Sequence, residues 1–178
     1  MKKVILVIGI ALAGFSVNAQ NFNVGLSGAL PVGDSSDFYS FGLILDANYL
    51  YEVSEEFSVG ASTGLIYSFG DTLEETVTIP GVGTQTFESE AEDATFIPIA
   101  AAARYFISEE FVVGADIGYA IGIEPDANDG GFYYAPKVQY YFTEMISAVA
   151  AYRGISVDEG PGGSSSFDHI TLGVEFKF

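Results

Sequence analysis

Residues 169–178, HITLGVEFKF, decide the fold. Ile170, Leu172, Val174, Phe176 and Phe178 fall on one face, and His169, Thr171, Gly173, Glu175 and Lys177 on the other. A strict period of two is the signature of an extended strand. In water, its five large apolar side chains and its unpaired edge would invite aggregation. Pairing with the first strand of the chain would close the edge, and a bilayer would cover the face. The stretch therefore predicts the closing strand of a β-barrel whose outside is lipid.

Working outward from it, seven more alternating segments of about ten residues appear, the length a tilted membrane strand needs. They run Phe22–Leu30, Phe41–Val53, Phe57–Phe69, Phe96–Ile107, Phe111–Ile123, Phe132–Phe142 and Ile146–Val157, the last with its phase unsettled. The connections alternate in length. Ser54-Glu55-Glu56, Ser108-Glu109-Glu110 and the turn near Thr143-Glu144 are tight, whereas Pro31–Asp37, Asp71–Ala94, Glu124–Gly131 and Asp158–Ser166 are long. Outer-membrane barrels are built this way, with the short side periplasmic. A repeated hairpin supports the reading: Tyr51 to Ala61 (YEVSEEFSVGA) recurs as Tyr105 to Ala115 (YFISEEFVVGA). The expected fold is all-β, an eight-stranded antiparallel up-and-down transmembrane barrel.

Met1–Ala19 reads as a signal peptide: Lys2 and Lys3, an apolar run from Val4 to Phe15, and Val17-Asn18-Ala19 as the cleavage site. The barrel domain would then be 20–178. All 24 acidic residues follow Ala19, against only Arg104, Lys137, Arg153 and Lys177, so the net charge of that part is −20. Such acidity argues against nucleic acid and anionic lipid as partners. The absence of cysteine excludes disulfides.

Alternation alone leaves the direction of the two faces open, and a soluble lipocalin-like barrel would show the same pattern inverted. Two features favour apolar outside. The apolar face carries more Phe, Tyr, Ile and Leu than an eight-stranded interior could hold with room for a ligand. The other face is Gly, Ser and Ala with a few charges, which suits a narrow filled interior. A cation facing the bilayer midplane costs about 2–4 kcal/mol, so Arg104, Lys137, Arg153 and Lys177 are expected in the lumen, with Asp46, Asp116 and Glu175 as counter-ions. A three-residue turn pairs the strands flanking Ser108–Glu110 at numbers summing to 218, making Arg104 and Asp116 diagonal neighbours. For Arg153 to share the face of Lys137, the turn after Phe142 needs an odd count or a bulge. Pro98 and Pro136 fit least well, since each removes a ladder donor; both are expected near the long-loop rim.

With export signal, eight strands and loop asymmetry in place, the chain resembles the small OmpA/OmpX-type outer-membrane barrels. Its SEEF-x-V-G-A hairpins are similar to the outer-membrane β-barrel family common in Bacteroidota. The resemblance implies localisation in the outer membrane, outer-membrane lipid as surroundings, and insertion by the barrel-assembly machinery. That machinery would read Leu172, Val174, Phe176 and Phe178 as the insertion signal.

Candidate chemistry is sparse. His169 stands beside Asp168 and near Ser164, Ser165 and Ser166, but alternation turns Asp168 and His169 to opposite faces and the serines read as turn residues. A rim hydrolase or acyltransferase is thus a distant third reading, and no catalytic residue is assigned. Glu74, Glu75, Glu88, Glu90, Glu92 and Asp93 in one loop, and Asp126 to Gly130 in another, offer oxygen ligands without the spacing of a calcium loop. No metal or cofactor is expected. The rival function is a narrow solute channel. Ile44, Leu50, Phe106, Tyr133 and Tyr141 face inward and would fill the lumen, while Gly60, Gly64, Gly114, Gly118 and Gly122 make room for them. The preferred reading is a non-enzymatic barrel whose external loops serve envelope integrity or surface contacts.

Overall fold

The computed structural model describes residues 22–79, 83–125, 128–158 and 164–178. The expected signal peptide and Asp126 lie outside them. Ten strands are described: β1 Phe22–Val32, β2 Tyr39–Ser54, β3 Phe57–Gly70, β4 Thr72–Ile79, β5 Gly83–Glu90, β6 Ala94–Phe106, β7 Phe111–Glu124, β8 Gly131–Thr143, β9 Ile146–Asp158 and β10 Ser164–Lys177. Eight of them close a barrel in the order β1-β10-β9-β8-β7-β6-β3-β2, and β4 and β5 pair with each other alone. Every barrel contact is antiparallel. Among the described residues no helix is long and apolar enough to cross a membrane.

Closure runs through residues 169–178. β10 pairs with β1 from Asn23↔Lys177 to Val32↔Asp168, and the Phe178 N–H donates to the Phe22 carbonyl at 2.9 Å. The paired residues can be followed once around the barrel from Arg104 through Gly114, Lys137, Ala151, Thr171, Ala29, Gly42 and Ser68. The path returns to β6 at Ala94, ten residues from its start. That stagger tilts the strands and fixes an interior which eight strands make just wide enough for side chains.

The apolar face points outward on every barrel strand. Leu30, Ile99, Ile117, Leu172 and Phe142 are all more than half exposed. Aromatic pairs gather near both ends: Phe22–Phe178 and Tyr140–Phe142 at the short-turn end, Phe41–Phe69, Phe132–Tyr134 and Tyr134–Tyr152 at the other. Amphipathic rings at these two levels suit the interfaces of a bilayer.

Three local expectations are corrected, and a fourth, the bulge required after Phe142, is met. The segment Asp71–Ala94 is not a plain loop, because most of it is the β4–β5 hairpin. Its alternation is broken on one face only: every Thr of the hairpin lies on one register face, while Leu73, Val77, Ile79 and Phe87 share the other with Glu75, Gln85 and Ser89. Ser164 to Ser166 belong to β10, not to the preceding loop, and Phe167 and Asp168 continue the strand. The turn after β8 is Glu144-Met145, with a register shift between Tyr141 and Thr143; this bulge puts Arg153 on the face of Lys137. Finally, both prolines sit within the strand bodies. The β3–β6 ladder is interrupted between Thr63↔Ile99 and Ile66↔Phe96, opposite Pro98. The β8–β9 ladder likewise skips Pro136, between Tyr134↔Gly154 and Lys137↔Ala151. Each proline stays paired with β7 on its other side, Pro98 with Ala120 and Pro136 with Ala115. The Thr63 hydroxyl donates to the Pro98 carbonyl at 2.8 Å, partly replacing the lost ladder bond.

Candidate functional site: the filled lumen

Because the short turn fixes β6 against β7 at a register sum of 218, Arg104 and Asp116 meet inside the barrel. Arg104 Nη1 lies 2.7 Å from Asp116 Oδ1, and Lys137 Nζ is 2.6 Å from Oδ2. Gly114, paired with Arg104, lets the arginine cross it, since a Cβ there would stand 2.5 Å from Arg104 Cδ. On the opposite wall Arg153 grips Asp46 through two parallel bonds of 2.9 and 2.7 Å. It also donates to the Tyr133 hydroxyl at 3.0 Å and, through Nε, to Thr171 Oγ1 at 3.4 Å. A bidentate arginine–carboxylate pair is the strong form of this contact.

Among the described residues Glu175 meets no cation, which corrects its expected role as a counter-ion. Its oxygens accept from Gln139 Nε2 at 2.8 Å and Asn48 Nδ2 at 3.0 Å, and Asn48 accepts in turn from Asn23. Lys177 is also displaced from expectation. It faces inward in register, but its side chain is 37% exposed at the short-turn rim, 3.9 Å from an exposed Glu52. The six buried charges, Asp46, Asp116, Glu175, Arg104, Lys137 and Arg153, cancel three against three.

Toward the long loops the lumen changes character. Ile44, Ile66, Phe96, Tyr133, Ile155 and five alanines form a buried apolar cluster, capped by Tyr39, Val157 and Phe167. Phe96 packs edge-on against Phe167 with ring centroids 4.9 Å apart. Sequence reasoning named Ile44 and Tyr133 but missed Phe96 and Phe167; the signal available was parity, for both share the inward face of the ionic residues. At the short-turn end a cavity of about 320 Å³ is lined by Phe106, Tyr141, Phe142, Thr143, three glutamates and Lys177.

His169 is buried in the long-loop half, and its Nε2 lies 3.0 Å from Ser68 Oγ. Neither Asp168 nor Ser164 to Ser166 completes a catalytic set with it. Asp168 lies on the outward face, accepting from Ser166 Oγ at 2.7 Å, while its N–H donates to Ser35 Oγ. Ser68 and His169 are 0% and 1% exposed, so no substrate reaches them in this arrangement. Among the described residues no cluster of His, Asp and Glu is arranged to hold a metal ion.

The hairpin beyond the barrel is tied down at its base. Asp71 N–H donates to the Phe38 carbonyl at 2.8 Å. Asp93 accepts from the Gly70 N–H at 2.9 Å and from the Tyr67 hydroxyl. The bond from Tyr67, and after it that from Gly70, holds the Asp93 carboxyl below its ordinary pKa.

The chain thus forms a closed eight-stranded barrel with an apolar belt, two aromatic girdles and an ionic interior. Residues 6–178 match the family model for the outer membrane protein beta-barrel domain. The chain belongs to that family. Outer-membrane barrels of this kind sit in the lipid bilayer of the outer membrane. Among solved structures, Ail of Yersinia pestis in a phospholipid nanodisc is similar at 13% identity and a TM-score of 0.54, over 89% of this chain and 99% of Ail. The crystal structure of the same protein gives 14% identity, a TM-score of 0.51 and coverage of 89% and 97%. A de novo designed transmembrane β-barrel aligns at 9% identity with a TM-score of 0.50, over 91% and 98%. At these identities the likeness is one of fold. No curated protein sequence matches the chain.

Proposed function

We propose that this outer-membrane barrel is a non-enzymatic, non-conducting anchor whose long loops form its working surface. The observation that carries the reading is the fill of the lumen: a charge-balanced ionic belt beneath an apolar plug, with Arg104, Arg153, Phe96 and Tyr133 each no more than 1% exposed. A pore needs a continuous polar path, and buried phenyl and isoleucine side chains interrupt it. The loops then serve envelope integrity or contact with other cells or molecules, with the acidic β4–β5 hairpin foremost.

The same reading has the chain exported by Met1–Ala19 and its short turns periplasmic. Leu172, Val174, Phe176 and Phe178 would be read by the barrel-assembly machinery. Planar-bilayer recording tests it: the purified protein should show no steady conductance at moderate voltage. A stable open level would overturn the anchor and favour a narrow solute channel. Pull-down with and without Asp71–Ala94 tests the loop assignment, and an unchanged set of partners would remove the hairpin from it.

A further inference from the structure

The outer wall of β8, β9 and β10 carries a feature that neither a barrel's closure nor its plugged lumen requires. Most outward columns are bulky, but β9 turns Ala148, Ala150 and Gly154 toward lipid. From β7 across to β10 this leaves a groove of about 590 Å³, lined by Val113, Pro136, Val138, Ala150, Tyr152 and Ile170 among others. At its long-loop end stands a carboxylate. Asp168 shares the outward face of Ile170 and is paired with Gly154, which is paired in turn with Tyr134.

The Tyr134 ring lies over Gly154, where a Cβ would come within 2.3 Å of Tyr134 Cζ. Tyr134 stacks on Tyr152 at 6.2 Å between centroids. The Tyr152 hydroxyl lies within hydrogen-bonding reach of Asp168 and of Tyr134. Asp168 Oδ1 is buried and, beyond the neighbouring Tyr152 hydroxyl, has no hydrogen-bond partner among the described residues. Among the described residues no cationic side chain points here, for Lys137 borders the groove but turns its ammonium inward to Asp116. Arg104, Lys137 and Arg153 are in the lumen, Lys177 is at the far rim, and the other two lysines precede Phe22. The turn Gly33–Asp37, which begins beside Asp168, adds charge of the same sign in Asp34 and Asp37.

We infer that this groove holds one membrane lipid with a primary ammonium headgroup. Its acyl chain would lie along Ala150 and Pro136, and its ammonium would rest against the tyrosine faces and hydroxyls under the field of Asp168. Aromatic faces and a carboxylate are the ordinary partners of an ammonium ion, worth most where water is scarce. A bare divalent cation fits less well, because it wants six or more oxygens and has no use for the groove.

The test is native mass spectrometry of the full chain released from detergent, in EDTA, with phosphatidylethanolamine or phosphatidylglycerol of identical acyl chains as probe. Phosphatidylethanolamine should be retained roughly tenfold more than phosphatidylglycerol, as expected of one charge-assisted contact. Asp168→Asn should bring the two within about twofold, which separates this site from general repulsion of anionic lipid by the acidic chain. Ala150→Phe, which fills the groove from the lipid side, should lower retention of both lipids and needs no change in the carboxylate. Equal retention by the unaltered chain would overturn the inference. So would a preference that survives Asp168→Asn, one that appears only when magnesium is added, or unaltered retention in a folded Ala150→Phe.

Discussion

Replacing Arg153 with methionine keeps most of the side-chain volume and removes the charge. Both Asp46 oxygens receive their bonds from Arg153, at 2.9 and 2.7 Å. The two side chains are 12% and 1% exposed, so water cannot take the arginine's place. Breaking a buried pair from one side leaves an uncompensated charge and costs about 3–5 kcal/mol. Tyr133 and Thr171 lose a donor as well. By the same argument, the double variant Asp46→Leu with Arg153→Met removes both charges and should lie within about 2 kcal/mol of the unaltered protein. Arg153→Lys keeps the charge but not the two-pronged geometry, and should fall between. The chain has no tryptophan, so urea unfolding in vesicles is best followed by far-UV circular dichroism together with the heat-dependent shift in gel mobility. A loss of under about 1 kcal/mol in the single variant would refute the reasoning. A double variant whose loss equals the sum of the two singles would refute it equally, because it would mean that the two residues do not interact.

Three further outcomes follow from the geometry. Ile117→Lys, outward on β7 and 54% exposed, should cost about 2–4 kcal/mol in vesicles, whereas Tyr51→Lys near the short-turn interface should cost at most about 1; similar values would contradict the lipid-facing assignment. Phe176→Ala with Phe178→Ala should slow assembly in cells more than refolding in detergent, measured by pulse-chase and by gel mobility; equal slowing would remove these residues from the insertion signal. Asp93 has its pKa lowered by Tyr67 and Gly70. Its tie is therefore fully present above the ordinary carboxylate pKa and is lost as pH falls through the lowered value. Limited proteolysis of the β4–β5 hairpin should be unchanged from neutral pH down to about 5 and rise only in stronger acid, while Asp93→Ala should raise it at every pH.

What could be read from residue order alone is what counting determines. A three-residue turn fixes the β6–β7 sum at 218, and with it both the register and the face of Arg104 and Asp116. β9 resisted because a bulge between Tyr141 and Thr143 changes parity without any mark in the sequence. The hairpin β4–β5 resisted for another reason. Its apolar positions, Leu73, Val77, Ile79 and Phe87, do share one register face, but Glu75, Gln85 and Ser89 interrupt that face and break the period of two. The apolar plug was half-legible: Ile44 and Tyr133 follow from parity, but Phe167 fell beside a stretch that its serines made look like a loop. Glu175 shows the limit of charge arithmetic. A lumen balanced three against three need not pair each acid with a base, because amides can hold a carboxylate as well.

The ionic belt bears on register as much as on filling. If β9 slipped by one residue, every side chain on it would change faces. Arg153 would turn to lipid at about 2–4 kcal/mol, and Asp46 would be left unpaired in the lumen at about 3–5 kcal/mol. Nothing in the β8–β9 turn opposes such a slip as strongly, since Glu144 and Met145 are exposed and the ladder beside them is already irregular. Deleting Glu144 therefore sets turn against belt. The belt should win, with the bulge absorbing the lost residue and Arg153 staying inside. The chain has no native cysteine, so Ala150→Cys and Ala151→Cys can each be introduced into the deletion and probed in vesicles with a lipid-soluble maleimide. Labelling at position 150 and protection at 151 is the expected result. The reverse pattern, in a barrel that still shifts on heating, would mean that the turn sets the register and the charges merely follow.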